Sequence, residues 1–150
     1  KAIGTADING WASTTLRSWL NNRFYSGLPE QIKQLIKKVQ VKSRSGENYD
    51  SISSSYDYIY IPAVTELIRS YNYAPYSNES DAEVKYILHM ESAASRTMYD
   101  YTGTAVNYWT RTPHIAPSGS RYYNYINTSG NIQQVGSTSN LYGIVVEFSI

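Results

Sequence analysis

An α+β fold is what this sequence predicts, on three observations. Apolar residues recur at three- and four-residue steps over residues 11–24 and again over 28–39, which is helical spacing. From residue 108 onward the pattern changes to short runs of Tyr, Ile, Val and Thr bounded by Gly, Ser, Asn and Pro, as in strands and turns. No repeat or long linker divides the 150 residues, so helices and strands are expected to share one domain over 1–150. Its sheet is expected to be twisted and mainly antiparallel, with the two N-terminal helices packed on it.

In the first helix, Leu16, Trp19, Leu20 and Phe24 form the apolar stripe and Arg17, Asn21, Asn22 and Arg23 the polar side, with Ser13 or Thr14 as N-cap. Ser26-Gly27 is its stop. Pro29 suits the first turn of a second helix carrying Leu28, Ile32, Leu35, Ile36 and Val39. Residues 43–56, rich in Ser, Gly, Asn and Asp, read as a mobile surface loop. Tyr58 to Ile61 gives a short strand closed by Pro62, followed by a helical pattern in Ala63, Val64, Leu67 and Ile68 with Glu66 in its early turns. Residues 72–80 read as loop and 81–90 as helix, with Val84, Ile87 and Leu88 as its apolar side. Strands are expected at 108–111, 121–127, 131–135 and 141–150. In the last, Ile144, Val146, Phe148 and Ile150 alternate with Val145, Glu147 and Ser149, and the first set is assigned inward. The expected core includes Trp19, Leu20, Ile126, Ile144 and Phe148.

Composition narrows the chemistry. The net charge is +1 and charged residues make up 17%, which does not suit a strongly basic nucleic-acid binder. Lys33, Lys37, Lys38, Lys42 and Arg44 concentrate positive charge, but no aromatic residues interleave to make a stacking platform, so they read as a solvated face. No apolar run reaches membrane-spanning length, and no membrane insertion is expected. With no cysteine there is no disulfide framework, thiolate metal site or cysteine nucleophile.

Catalytic patterns are sparse. The two histidines are His89, read as structural, and His114, which follows Pro113 and is a candidate ligand contact. No calcium loop, zinc motif or phosphate-binding glycine loop occurs, so neither metal nor cofactor is expected. Glu30, Glu47, Glu66, Glu79, Glu83, Glu91 and Glu147 are scattered, and each reads as a surface or capping charge.

The 16 tyrosines against 2 phenylalanines point toward recognition, because Tyr offers a large stiff contact surface with a polar tip. Tyr, Ser, Asn, Thr and Gly concentrate over residues 99–142. By alternation Tyr123, Tyr125 and Asn127 share one strand face, opposite Ile126. That face, with His114, Ser118, Ser120 and Arg121 from the adjoining loop, is the expected ligand-binding surface. Trp109 and Arg111 are assigned to structural support, Arg111 as a donor to backbone carbonyls.

Two stretches carry a family resemblance. Trp11-Ala12-Ser13-Thr14-Thr15-Leu16-Arg17-Ser18-Trp19-Leu20-Asn21-Asn22-Arg23-Phe24 is similar to the Trp-x-x-Ser-x-Leu-Arg-x-Trp-Leu-Asn helix of bacterial C-type lectin-like domains. Tyr108-Trp109-Thr110-Arg111-Thr112-Pro113, the run from Tyr122 through Asn127 to Gly130 and Ile132, and the closing Gly143-Ile144-Val145-Val146-Glu147-Phe148 resemble their C-terminal half. Tyr60-Ile61-Pro62 and Glu66 fit the middle strand and following helix. The resemblance is closest to an uncharacterised group of gut bacteria and their phages, related to formylglycine-generating enzymes and to hypervariable receptor-binding folds. It implies a C-type lectin-like fold that displays a non-catalytic binding face on a bacterial cell surface or phage particle. A protein receptor or surface glycan would be the partner, with decoration of a virion or filament beside neighbouring subunits as the alternative.

Departures from the group limit what is implied. Val145-Val146 replace its Arg-Pro, the sugar–calcium triplets are missing, and the cysteines of formylglycine chemistry are absent. A hydrolase or oxidase with a Glu/His pocket is the third reading. Trp11 lies close to the first residue, whereas members of the group carry strands before this helix, which implies a fragment of the domain or a strand contributed from elsewhere.

Overall fold

Thr14 starts the first helix by accepting a hydrogen bond from the Arg17 N–H through its hydroxyl. The computed structural model describes residues 1–4, 8–68, 79, 92–115 and 118–150. Within them, α1 (Thr15–Trp19) follows a 3-10 turn at Gly10–Ser13 and runs on as a π turn at Leu20–Phe24. Its stripe is buried as expected at Leu16 and Leu20, while Trp19 and Phe24 pack on the core from its margin. Asn21, on the polar side, accepts from the Tyr58 and Ile59 N–H groups and donates to the Ile59 carbonyl. One amide side chain thus takes the place of a neighbouring strand and holds residues 58–61 extended, with Ile59, Tyr60 and Ile61 buried.

The second helix is much shorter than its apolar stripe predicts. α2 spans only Glu30–Lys33, Ile32 and Leu35 are exposed, and Ile36 is the stripe's buried member. The Lys37 N–H donates to the Ser149 carbonyl instead of continuing the helix, and Val39 begins β1 (Val39–Ser45).

β1 pairs antiparallel with β2 (Ser51–Asp57) in register Val39↔Asp57 to Ser45↔Ser51. The stretch expected as a mobile loop is therefore most of a hairpin. Its inward residues are small and polar, and they are hydrogen-bonded: the Ser43 hydroxyl accepts from the Trp11 N–H, and the Ser55 hydroxyl donates to Asp57. Asp57 is fully buried, and also accepts from Trp11 Nε1 at 2.9 Å and Arg17 Nε at 2.7 Å. One carboxylate fastens the helical entry of the chain to the hairpin.

After α3 (Val64–Leu67) and α4 (Ala93–Arg96) come β3 (Met98–Tyr99) and β4 (Ala105–Val106), a two-stranded pair. The main sheet has antiparallel order β5 (Tyr108–Ile115), β6 (Arg121–Ile126) and β7 (Ile132–Gly136), with a bulge in β5 between Trp109 and Pro113. Both faces are covered. Trp109 and Tyr123 join Trp11, Leu16, Leu20 and Ile61 on one side, whereas Tyr108 and Ile126 meet Leu67 on the other. At the β6–β7 turn Gly130 has φ +75°, and a Cβ there would overlap the Ala93 carbonyl, so only glycine lets the turn sit on α4.

The protein is thus α+β with antiparallel sheets. The expected strand at 141–150 is an extended segment held by isolated bridges, and it turns the predicted alternation over: Val146, Phe148 and Ile150 are exposed, while Val145, Glu147 and Ser149 are half-buried. Bridges at Gly143, Glu147 and Ser149 to Tyr108, Tyr60 and Lys37 set this phase. Of the expected core, Leu20 and Ile126 are fully buried, Trp19 and Ile144 pack at its edge, and Phe148, at 46% exposed, lies outside. The expected helix at 81–90, His89 and most of the 72–80 loop lie outside the described residues.

Asp57→Ala leaves two buried donors and a cation without their acceptor, so it should destabilise the fold by roughly 3 kcal/mol. Arg17→Ala, which removes a partly exposed partner, should cost less than half of that in the same urea titration. Equal losses would contradict the hub role of the carboxylate.

Candidate functional site

The expected recognition face is taken apart by the fold. Tyr123 is fully buried, because the face it shares with Tyr125 is the one that meets the N-terminal helices. Tyr125 packs against Trp109 and Tyr142, with ring centroids 6.3 and 4.7 Å away. Asn127 is half-buried, and its side-chain oxygen accepts from the Ser129 and Asn131 N–H groups to fix the β6–β7 turn. At the other end of the strand, Ser118 and Ser120 are exposed and joined by a 3.2 Å hydroxyl contact. Arg121 donates to the Glu47 carbonyl, and half-buried His114 has its pKa lowered by burial and by the nearby Arg44 cation. His114, Ser118, Ser120 and Arg121 share the open end of the β5–β6 hairpin, whereas Tyr123, Tyr125 and Asn127 lie in the core, at its margin and in the far turn. Tyr123 lies on the face opposite Ile126, as alternation predicts, but β6 is covered on both faces.

A different set of tyrosines reaches the surface. Between β3 and β4 the Asp100 carboxylate accepts from the Thr102 N–H, the Thr102 hydroxyl and the Thr104 N–H at 2.9, 2.6 and 3.0 Å. Gly103, at φ +81°, completes the turn. These bonds, the Thr102 hydroxyl first, hold the Asp100 carboxyl below its usual pKa, so the turn keeps its negative charge at neutral pH. Locked in this way, the tip presents Tyr101 at 99% exposure and Tyr99 at 64%.

Beside the hairpin lies a groove of about 580 Å³, walled on its other side by residues 141–145. Leu141 stands at its rim at 79% exposure. Met98, Val106 and Ile144 make its lining largely aliphatic, with Asn107 and Thr128 as polar points. Asp100 is the one charged residue among the described lining. The arrangement suits contact with an apolar or hydroxyl-rich partner and disfavours an anionic one. Sequence reading found the tyrosine-rich stretch but missed this site; the cue was the Asp-x-Thr-Gly-Thr turn following Tyr99.

The chemically perturbed groups are elsewhere, in the interior. Arg111 forms a buried ion pair with Glu66 through both terminal nitrogens and donates to the carbonyls of Lys42, Ile61 and Glu79. Glu66 also accepts from the Ala63 N–H, capping α3. Glu79 is fully buried, accepting from the Arg44 N–H and the Thr112 hydroxyl. Burial raises its carboxyl to about 7, and burial with the neighbouring Glu66 charge raises that of Glu147 to about 8. Three glutamates expected as surface or capping charges therefore surround one interior guanidinium. Among the described residues no group of three His, Cys, Asp or Glu has a metal-holding arrangement, and no helix is long and apolar enough to cross a membrane.

A family model described as a domain of unknown function, DUF6273, matches residues 4–150. The chain belongs to the DUF6273 family. The comparisons with curated proteins and with solved structures find no match. The DUF6273 match takes in the Trp11 helix, the Arg111 cluster and the whole groove.

The interior glutamates tie stability to pH. Unfolded, both titrate near the ordinary value of 4.5; folded, they hold their protons to about 7 and about 8. Their contribution to stability is fully present below about pH 4.5 and is lost as pH rises through 7 and 8. Urea titrations at pH 5, 7 and 9 should show falling stability, and Glu79→Gln with Glu147→Gln should flatten that slope. A slope unchanged by the double substitution would refute the assignment.

Proposed function

We propose that this domain is a non-catalytic binding module that engages a protein receptor or surface glycan through the β3–β4 hairpin and its groove. The carrying observation is the exposure of Tyr99, Tyr101 and Leu141 around a concave surface on a turn locked by Asp100. Large apolar side chains displayed together on a rigid element cost solvation in the free protein and gain it back on contact, which is how recognition hot spots work. Pre-organisation by the Asp100 hydrogen bonds limits the entropy lost on binding. An enzyme would instead bring ionisable groups of shifted pKa together in an accessible pocket. Here Asp100 is the one carboxylate in the groove's described lining, beside Tyr108, whose hydroxyl burial raises to about 12, whereas Glu79 and the Arg111–Glu66 pair are in the interior.

The finer fold reading, a C-type lectin-like domain, belongs to the same proposal. It is supported by the order of helices before sheet and by the placing of Trp109, Arg111 and Pro113 on the strand that the whole molecule packs around. Display on a bacterial cell surface or phage particle follows from that resemblance.

Tyr99→Ala with Tyr101→Ala should abolish capture in a glycan and surface-protein array screen while leaving the melting temperature within about 2 °C. Tyr123→Ala should do the reverse, costing about 3 kcal/mol or more of stability because it empties a core position. Ligand capture that survives the double substitution would place recognition elsewhere.

A further inference from the structure

The carboxylate at the groove is only half occupied by its own turn. The Thr102 N–H, the Thr102 hydroxyl and the Thr104 N–H all donate to the same Asp100 oxygen, Oδ1. Three donors use up the lone pairs of that oxygen, while Oδ2 has no hydrogen-bond or ion-pair partner among the described residues. The described lining of the groove contains no lysine, arginine or histidine, so nothing in it balances the charge that Asp100 keeps at neutral pH. The chain neighbours of Asp100 are the two exposed tyrosines, Tyr99 and Tyr101. Met98, Val106, Leu141 and Ile144 supply aliphatic surface beside them.

A partner that closes over this groove takes Asp100 out of water, and a carboxylate covered without a counter-charge opposes binding more strongly than the apolar contacts favour it. The partner must therefore bring a cation together with apolar surface. A lysine side chain meets both demands. Its ammonium is a point charge suited to one free oxygen, its four-carbon stem lies along an aliphatic wall, and a tyrosine face attracts the same charge. Arginine fits less well, because its planar fork is matched to two carboxylate oxygens and Oδ1 is already saturated. Resting on the binding role proposed above, we infer that the groove takes a protein segment in which a lysine adjoins an aliphatic residue, with the ammonium on Asp100 Oδ2 and the aliphatic side chain between the hairpin and residues 141–145. The hydroxyl groups of a neutral glycan would leave the carboxylate charge unbalanced and the aliphatic lining unfilled.

Amide chemical shifts of the whole chain, titrated with acetyl-Leu-Lys-Leu-amide, its Gln and Arg counterparts and the neutral sugar chitotriose, test this. The lysine peptide should shift the amides of residues 98–108 and 141–145, with a dissociation constant on the order of 1 mM. The glutamine peptide should bind about threefold to fivefold more weakly, the arginine peptide in between, and the lysine preference should narrow as salt rises from about 20 mM to about 500 mM. Asp100→Asn retains an oxygen for the Thr102 and Thr104 N–H groups, so it should keep the turn and bind the lysine and glutamine peptides alike. Should that variant not fold, the peptide series and its salt dependence decide the matter in the unsubstituted chain. A glutamine peptide bound as tightly as the lysine one, a preference that survives Asp100→Asn, or groove shifts with chitotriose and with no peptide would each overturn the inference while leaving a binding groove in place. So would groove amides that no probe moves, and the binding role itself is then judged by the capture screen with Tyr99→Ala and Tyr101→Ala.

Discussion

The ion pair between Arg111 and Glu66 is the constraint around which the remaining structure is arranged. Both side chains are out of water, a position that is tolerable only if each polar atom is matched, and removing either partner leaves an uncompensated interior charge. Matching recruits the rest of the chain. The guanidinium reaches the carbonyls of Lys42 on β1 and Ile61 in the extended middle segment, and the carboxylate reaches back to the start of α3. Four separate stretches of sequence are brought to a single point. Because Arg111 lies on β5, these bonds also fix the main sheet, and with it the side of each core, relative to the N-terminal hairpin.

How much of this can be read from the sequence depends on whether a residue's role is periodic or positional. The Trp11 helix is legible because Leu16 and Leu20 recur at helical spacing and Thr14 caps them. The β1–β2 hairpin is not, because apart from Val41 its inward positions are Ser43, Ser45, Ser55 and Asp57, and hydrogen bonds replace the apolar alternation that marks a strand. In the last segment the period is plain but its phase is not. Val145 and Val146 are identical in character, so alternation alone cannot tell which set faces inward, and the backbone bridges of Glu147 and Ser149 decide it. Glu66, Glu79 and Glu147 lie 13 and 68 residues apart along the chain, and only the fold gathers them.

The tyrosines divide along the same line. Tyr123 and Tyr108 are interior, Tyr125 and Tyr142 pack edge-on or tilted about Trp109 at the margin, and Tyr99 and Tyr101 stand in solvent. One residue type serves as filler, as joint and as contact surface because its ring tolerates burial while its hydroxyl tolerates water. The site is consequently found by its local turn chemistry, Asp100 with Thr102 and Thr104, and not by tyrosine abundance. Its far wall, residues 141–145, continues directly into the segment that bridges to Tyr60 and Lys37, so contact at the groove acts on a length of chain tied to the N-terminal half.

The way the last strand is stitched to residues 37, 60 and 108 bears on how the domain forms. These contacts close loops of 112, 87 and 35 residues, and the entropy of closing them is spent before much of the core can consolidate. The N-terminal helix and the β1–β2 hairpin are local and can assemble early, but Glu147 cannot reach Tyr60 until the C-terminal strand has been synthesised. During synthesis Tyr60 and Lys37 therefore wait without these partners until residues 147–149 have emerged. Folding limited by that late zippering is expected to be slow for a domain of this size, and loss of residues 147–149 removes the closing stitch.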